Sequence, residues 1–192
     1  MKKIILASSS PARRKILEDL GLKFDVVASD FDERSIDIAD TSRLVETLAL
    51  EKARTVAKTH KNAIIIGADT MVVYKGRQIG KAGDAKEAKE ILQFLCGSDH
   101  EIITGVAVID AETGEEKISS VIARVVMKNY SDKEIDEYIA TGEPIGKGGA
   151  YYWQGLGRKF VIDKIIGEES CVEGMPLSIL IKFLNDFGVN LK

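Results

Sequence analysis

Apolar and polar positions alternate along the chain between strand-like and helix-like periods from one end to the other, the pattern of an α/β protein. Residues 3–7 form a short apolar run that reads as a buried strand. Ser10 then caps a helix with Pro11 at its first position, and Gly21 stops it. Phe24 to Ala28 read as a second strand, and an acidic loop, Asp30 to Asp40, leads into a helix from about Thr41 to His60 with Leu44, Leu48 and Val56 on one apolar face. The run Ala63 to Gly67 reads as a strand ending in Ala68-Asp69-Thr70, followed by a short hairpin over Met71 to Ile79 that turns at Lys75-Gly76. Asp84 and Glu87 open a helix that ends at Gly97.

Glu101 to Met127, broken by Glu112-Thr113-Gly114-Glu115, predict two long strands joined by a turn, an antiparallel pair. Ser131 and Glu134 repeat the capping box for a helix running to Thr141. Glycines 146, 148, 149, 155 and 157 surround Tyr151, Tyr152, Trp153 and Gln154, a stretch where backbone can approach a ligand closely. Phe160 to Ile166 predict a strand, and Pro176 to Phe187 a final helix ended by Gly188. The expected sheet is therefore mixed and partly antiparallel, flanked by helices, which argues against a purely parallel doubly wound fold.

The 192 residues fit one domain spanning 1–192 or two small lobes. With 27 basic and 30 acidic residues the formal charge is −3, so no bulk positive field holds a nucleic acid, and an anionic ligand must be met by local cations. No apolar run approaches the roughly 20 residues of a membrane helix. The apolar stretch after Met1-Lys2-Lys3 is too short for a signal peptide, so a cytoplasmic protein is expected. Cys96 and Cys171 form no Cys-x-x-Cys pair and read as packed thiols. His60 and His100 are not at ligand spacing for zinc.

Candidate chemistry concentrates where the first strand meets the first helix. Ser8, Ser9 and Ser10 precede a helix N-terminus carrying Arg13 and Arg14, and free N–H donors, hydroxyls and guanidinium groups together suit a phosphate. Two cations in a first turn oppose the helix dipole unless an anion is near. Asp69, at the expected carboxyl end of a strand, is placed to hold a divalent cation or deprotonate water, although an Asp there also serves as a simple turn cap. Asp32 and Glu33 are further carboxylates for a metal. Lys52, beside Glu51 on a long helix, and Lys81, after Ile79-Gly80, either pair on the surface or help to counter a triphosphate. The Gln154 amide has both donor and acceptor for a base edge, and Tyr151 and Trp153 either stack on that base or belong to the core. Gly142 to Gly148 is too short for a phosphate loop, and the Rossmann glycine pattern and the Gly-x-Ser-x-Gly elbow are absent.

These residues resemble the Maf family of nucleoside triphosphate pyrophosphatases. The likeness rests on Leu6-Ala7-Ser8-Ser9-Ser10-Pro11 with Arg13, Leu48-Ala49 with Glu51-Lys52-Ala53, Gly67-Ala68-Asp69-Thr70, Gly80-Lys81, Gly97 with His100, Gly149-Ala150-Tyr151 with Gln154-Gly155, and Gly174-Met175-Pro176. It implies an elongated α/β fold with two lobes around a deep cleft, cleavage between the α- and β-phosphates, a divalent cation (Mg²⁺ or Mn²⁺), and a homodimer. It implies Asp69 as general base near the metal, Glu33 as a metal or water ligand, and Ser8, Ser10, Arg13, Lys52 and Lys81 as phosphate ligands. Thr70 and Gln154 resemble the branch acting on dTTP and UTP, whereas the 7-methyl-GTP branch carries Gln and Glu there. Ala12 stands where that branch usually has the first arginine of Ser-Pro-Arg-Arg, and Ala82 where it has a proline, departures that bear on base selectivity more than on catalysis. Rival expectations are a broader or 7-methyl-GTP specificity, a purine-specific pyrophosphatase of the inosine triphosphate class, and a nucleotide-binding cell-division regulator without turnover.

Overall fold

The computed structural model describes residues 2–189 and 191. The chain runs β1 (Lys3–Leu6), α1 (Pro11–Asp19), β2 (Asp25–Val26), a 3-10 turn (Glu33–Ser35), α2 (Thr41–Ala57), β3 (Ala63–Tyr74), β4 (Arg77–Ile79) and α3 (Ala85–Leu95). It continues as β5 (Asp99–Asp110), β6 (Glu116–Met127), α4 (Asp132–Ala140), α5 (Gly157–Phe160), β7 (Ile162–Ile166), α6 (Glu169–Val172) and α7 (Leu177–Asp186). The strands bond in the order β2-β1-β3-β5-β6-β7, with β4 on β3. The sheet is mixed: β1 is parallel to β2 and β3, while β4 on β3 and β7 on β6 are antiparallel.

The chain divides into two compact units, one of Met1–Thr70, Ile103–Val121 and Ser170–Lys192, the other of Met71–Ile102 and Ile122–Glu169. In the first unit, side chains alternate between the faces of the pleated strands and give each face its own core. Ile4, Leu6, Ile64, Ile66 and Ala68 pack with Ile16 and Leu17 of α1 and Leu180, Phe183 and Leu184 of α7. Ile5, Ala63 and Ile65 pack with Ala49, Leu50, Ala53 and Val56 of α2. Burial on both faces explains why these strands read as unbroken apolar runs. Gly67 lets α2 come close, because a Cβ there would stand 2.2 Å from the Ala49 carbonyl oxygen.

The second unit buries Ala88, Leu92 and Leu95 of α3 together with Val125, Ile135, Tyr138, Tyr151 and Ile162. The Ser131–Glu134 capping box of α4 is formed as expected, as are the Ser10 cap of α1 and the Asp84 cap of α3. Three expectations are corrected. The strand from Ala63 does not stop at Asp69 but continues to Tyr74, since Thr70, Val72, Val73 and Tyr74 favour extended chain. The hairpin does turn at Lys75-Gly76, both at positive φ as a tight hairpin turn requires, but its first strand is the far end of β3. The last strand begins at Ile162, because Gly157–Phe160 close a helical turn first.

Candidate active site

On β3 the parallel register with β1 ends at Ile66, and the antiparallel register with β4 begins at Val72. Asp69 and Thr70 lie in that interval. Strand alternation points Asp69 to the face shared with Ile65 and Gly67, where α2 lies, and Thr70 to the face of Ile66 and Ala68, where α1 lies.

Asp69 is buried, and its Oδ1 accepts a hydrogen bond from Lys52 Nζ at 2.6 Å. The same Nζ is 2.7 Å from Glu33 Oε1, so one lysine joins a carboxylate on β3 to one on the 3-10 turn. Lys52 reaches there because close packing of α2 at Gly67 brings it alongside the strand two residues before Asp69. The surface alternative for Lys52 is not realised, since Glu51 pairs with Arg54 instead. Asp32 does not join the acidic pair; it caps the 3-10 turn and pairs with Arg34.

The two arginines separate. Arg14 pairs with Glu18 one turn on, on the exposed side of α1. Arg13 lies on the side of Ile16 and Leu17 and turns inward. Its Nε donates to the Gly174 carbonyl at 2.9 Å, Nη1 to Ser8 Oγ at 3.2 Å and Nη2 to Thr70 Oγ1 at 3.1 Å. Burial pushes this guanidinium below its ordinary value, while Asp69 and then Glu33 oppose the shift through space. Arg13, Lys52, Asp69 and Glu33 therefore form one electrostatic group of two cations and two anions. Ser10 Oγ accepts from Arg13 N as the cap of α1, and Ser8 Oγ also accepts from Ser10 N. Ala12, half-buried in the first turn of α1, presents only a methyl group.

Asp69 and Glu33 are oxygen donors of the kind and number that Mg²⁺ takes alongside substrate phosphates. Among the described residues no group of three or more His, Cys, Asp or Glu converges. The donor set thus fits a divalent ion.

Lys81 and Gln154 belong to the second unit. Lys81 bridges to Gly148, Ala82 N donates to the Lys147 carbonyl, and Gly146 N and Gly149 N donate to the Ala82 and Gly80 carbonyls. The glycine-rich segment thus uses its close-approaching backbone on residues 80–82. Glu143 anchors its far end, accepting from Tyr138 Oη, Leu156 N and Gly157 N. Gln154 is exposed, and its Oε1 accepts from Tyr152 Oη at 2.6 Å. Tyr151 and Trp153 are core residues: Tyr151 Oη bonds to His100 Nε2 at 2.7 Å, and Arg158 covers Trp153. Both cysteines carry thiols and not a disulfide: Cys171 is buried and donates to the Val121 carbonyl, and Cys96 is half-buried and donates to the Tyr130 carbonyl.

Sequence reasoning passed over Thr104, whose hydroxyl lies 3.0 Å from Thr70 Oγ1 and 2.8 Å from the Cys171 carbonyl. Its signal was a single hydroxyl inside the apolar run Ile102 to Ile109.

A family model described as Maf-like protein matches residues 3–187. A dTTP/UTP pyrophosphatase of Alkaliphilus metalliredigens is 46% identical over 193 residues, covering 100% of both chains. Proteins of that name from Pelotomaculum thermopropionicum and Desulforamulus reducens are 44% and 42% identical, again over 100% of both chains. Among solved structures, a HAM1 protein from Coxiella burnetii shares 17% identity at a TM-score of 0.45, covering 66% of this chain and 73% of that one. The match of the family model across nearly the full length, with relatives above 40% identity end to end, establishes that the chain belongs to the Maf family.

Proposed function

We propose that the protein hydrolyses dTTP and UTP between the α- and β-phosphates, releasing the nucleoside monophosphate and pyrophosphate. The observation that carries this reading is the Lys52 ammonium held between Asp69 and Glu33, beside the inward-turned Arg13. Full-length relatives named for that activity supply the choice of nucleotide.

Lys52 engages Oδ1 of Asp69, which orients the carboxylate and leaves Oδ2 to accept a proton. Water attacking the α-phosphorus passes its proton to Asp69 as the bond to the β-phosphate oxygen breaks, and the electron pair leaves with pyrophosphate. Arg13 and Lys52 neutralise the charge that develops on the departing group. A divalent ion bound through Asp69 and Glu33 would supply Lewis-acid polarisation of the phosphate oxygens.

The test is pyrophosphate release from a panel of canonical and modified nucleoside triphosphates with Mg²⁺, Mn²⁺ or chelator, with Asp69→Asn alongside. dTTP and UTP should lead, and the variant should be silent while keeping its fold. A purine or 7-methyl-GTP preference would overturn the assignment of substrate. Nucleotide binding without pyrophosphate release would overturn the assignment of an enzyme.

A further inference from the structure

Arg13 is held by more than its direct contacts. A hydroxyl has one proton and a carbonyl only accepts. Thr104 therefore donates to the Cys171 carbonyl, the Thr70 proton serves the Thr70–Thr104 contact, and a lone pair of Thr70 is left for Arg13 Nη2. The Cys171 carbonyl also accepts from Gly174 N at 3.0 Å, and the Gly174 carbonyl accepts from Arg13 Nε. The bonds close a ring through Arg13, Thr70, Thr104, Cys171 and Gly174, drawn from four separate stretches of sequence. Thr104 and Cys171 are fully buried, so that side of the ring is shielded from water. Gly174 closes it at φ +93°, and a Cβ there would stand 3.1 Å from Thr70 Oγ1 and 3.3 Å from Arg13 Nε. With Ser8 on Nη1, three of the five guanidinium N–H groups have acceptors among the described residues, leaving one N–H on each terminal nitrogen.

We propose that Thr104 is a positioning residue: acting through Thr70 and the Cys171–Gly174 turn, it fixes the Arg13 guanidinium so that its two remaining donors are aimed at phosphate oxygens. Preorganisation of this kind moves the ordering of a long side chain from the moment of binding to the folding of the protein. The proposal rests on the reading that Arg13 serves an anionic substrate.

The decisive comparison is Thr104→Val, which keeps shape and removes the hydroxyl, against Thr104→Ser, which keeps the hydroxyl. For UTP, Thr104→Val should raise KM about tenfold with kcat within about threefold, the size expected for losing support of a charged hydrogen bond, and Thr104→Ser should restore KM. Independently of turnover, the side-chain NMR signals of Arg13 should be protected and rotationally restricted in the wild type, lost or averaged in Thr104→Val and recovered in Thr104→Ser. Should Thr104→Val not fold, Thr70→Val breaks the same ring from its half-buried end and should give the same Arg13 signals. Unchanged KM and unchanged Arg13 signals in a folded Val variant would overturn the proposal while leaving the pyrophosphatase reading intact. A wild type that cleaves no nucleotide would overturn that reading, and the Arg13 signals would still decide the ring.

Discussion

At the scale of single residues, adjacent side chains have opposite fates. Arg13 and Arg14 are equivalent as charges in a helical first turn, yet Arg13 shares a face with Ile16 and Leu17 while Arg14 pairs outward with Glu18. Arg14→Ala is accordingly expected to change KM less than about twofold and stability by less than about 1 kcal/mol, as exposed ion pairs do. Arg13→Ala should raise KM by an order of magnitude or more, since hydrogen bonds to charged groups are worth roughly 1.5–3 kcal/mol; steady-state kinetics on both variants separate the two. The distinction was present in the sequence as the i, i+3, i+4 spacing of Arg13 from Ile16 and Leu17. The partners of Lys52 were not, because they come from β3 and the 3-10 turn.

His100 allows a prediction in pH. It is buried between Ser98 and Tyr151, and burial pushes its pKa down to about 4, with Asp99 opposing. An unfolded histidine takes up a proton below about 6.5 that the folded one refuses. Its contribution is therefore complete above that value and is lost as pH falls from 6.5 towards 4, by about 3 kcal/mol in all. Urea unfolding across this interval should show the loss, and His100→Gln should flatten the curve while lowering stability at neutral pH.

At the scale of elements, the helices were the more legible part. Ser10 before Pro11, Asp84 before Glu87, and the Ser131–Glu134 box all cap where local chemistry places them. β3 was misread because an aspartate in a strand looks like its end. The carboxylate is accommodated by Lys52, a contact that only the packing of α2 supplies. That packing is itself testable. Gly67→Ala would place a methyl group 2.2 Å from the Ala49 oxygen and 3.0 Å from the Ala53 side chain, forcing α2 and β3 apart. A loss of about 1–3 kcal/mol in chemical denaturation is expected, together with reduced turnover as Lys52 is displaced from Asp69. Gly80→Ala, where a Cβ meets nothing within 4 Å, is the control.

At the scale of the molecule, the chain passes between its two units after Thr70, Ile102, Val121 and Glu169. Chain length left room for one domain or two small lobes, but did not show that one compact unit would be assembled from three separated stretches. A fragment of residues 1–70 carries Asp69, Lys52, Glu33 and Arg13 but lacks Val106, Val108, Leu180 and Leu184, which complete its core. Circular dichroism of that fragment should show an unfolded chain, and adding UTP with Mg²⁺ should not rescue it. The intact protein should instead gain about 2.7 kcal/mol at a hundredfold excess of a non-hydrolysable UTP analogue over its Kd, with Mg²⁺ present.

The alternation along β3 also governs how the gene can change in length. Asp69 faces α2 and Thr70 faces α1 only because the count of residues from Ala63 is fixed, so gaining or losing one codon between Ala63 and Asp69 would exchange the two faces. The carboxylate would then meet α1 and the threonine α2, undoing the lysine pairing and the arginine ring in one event. In-frame indels should therefore be purged from codons 63–70, while the exposed turn Glu112–Glu115 absorbs them freely.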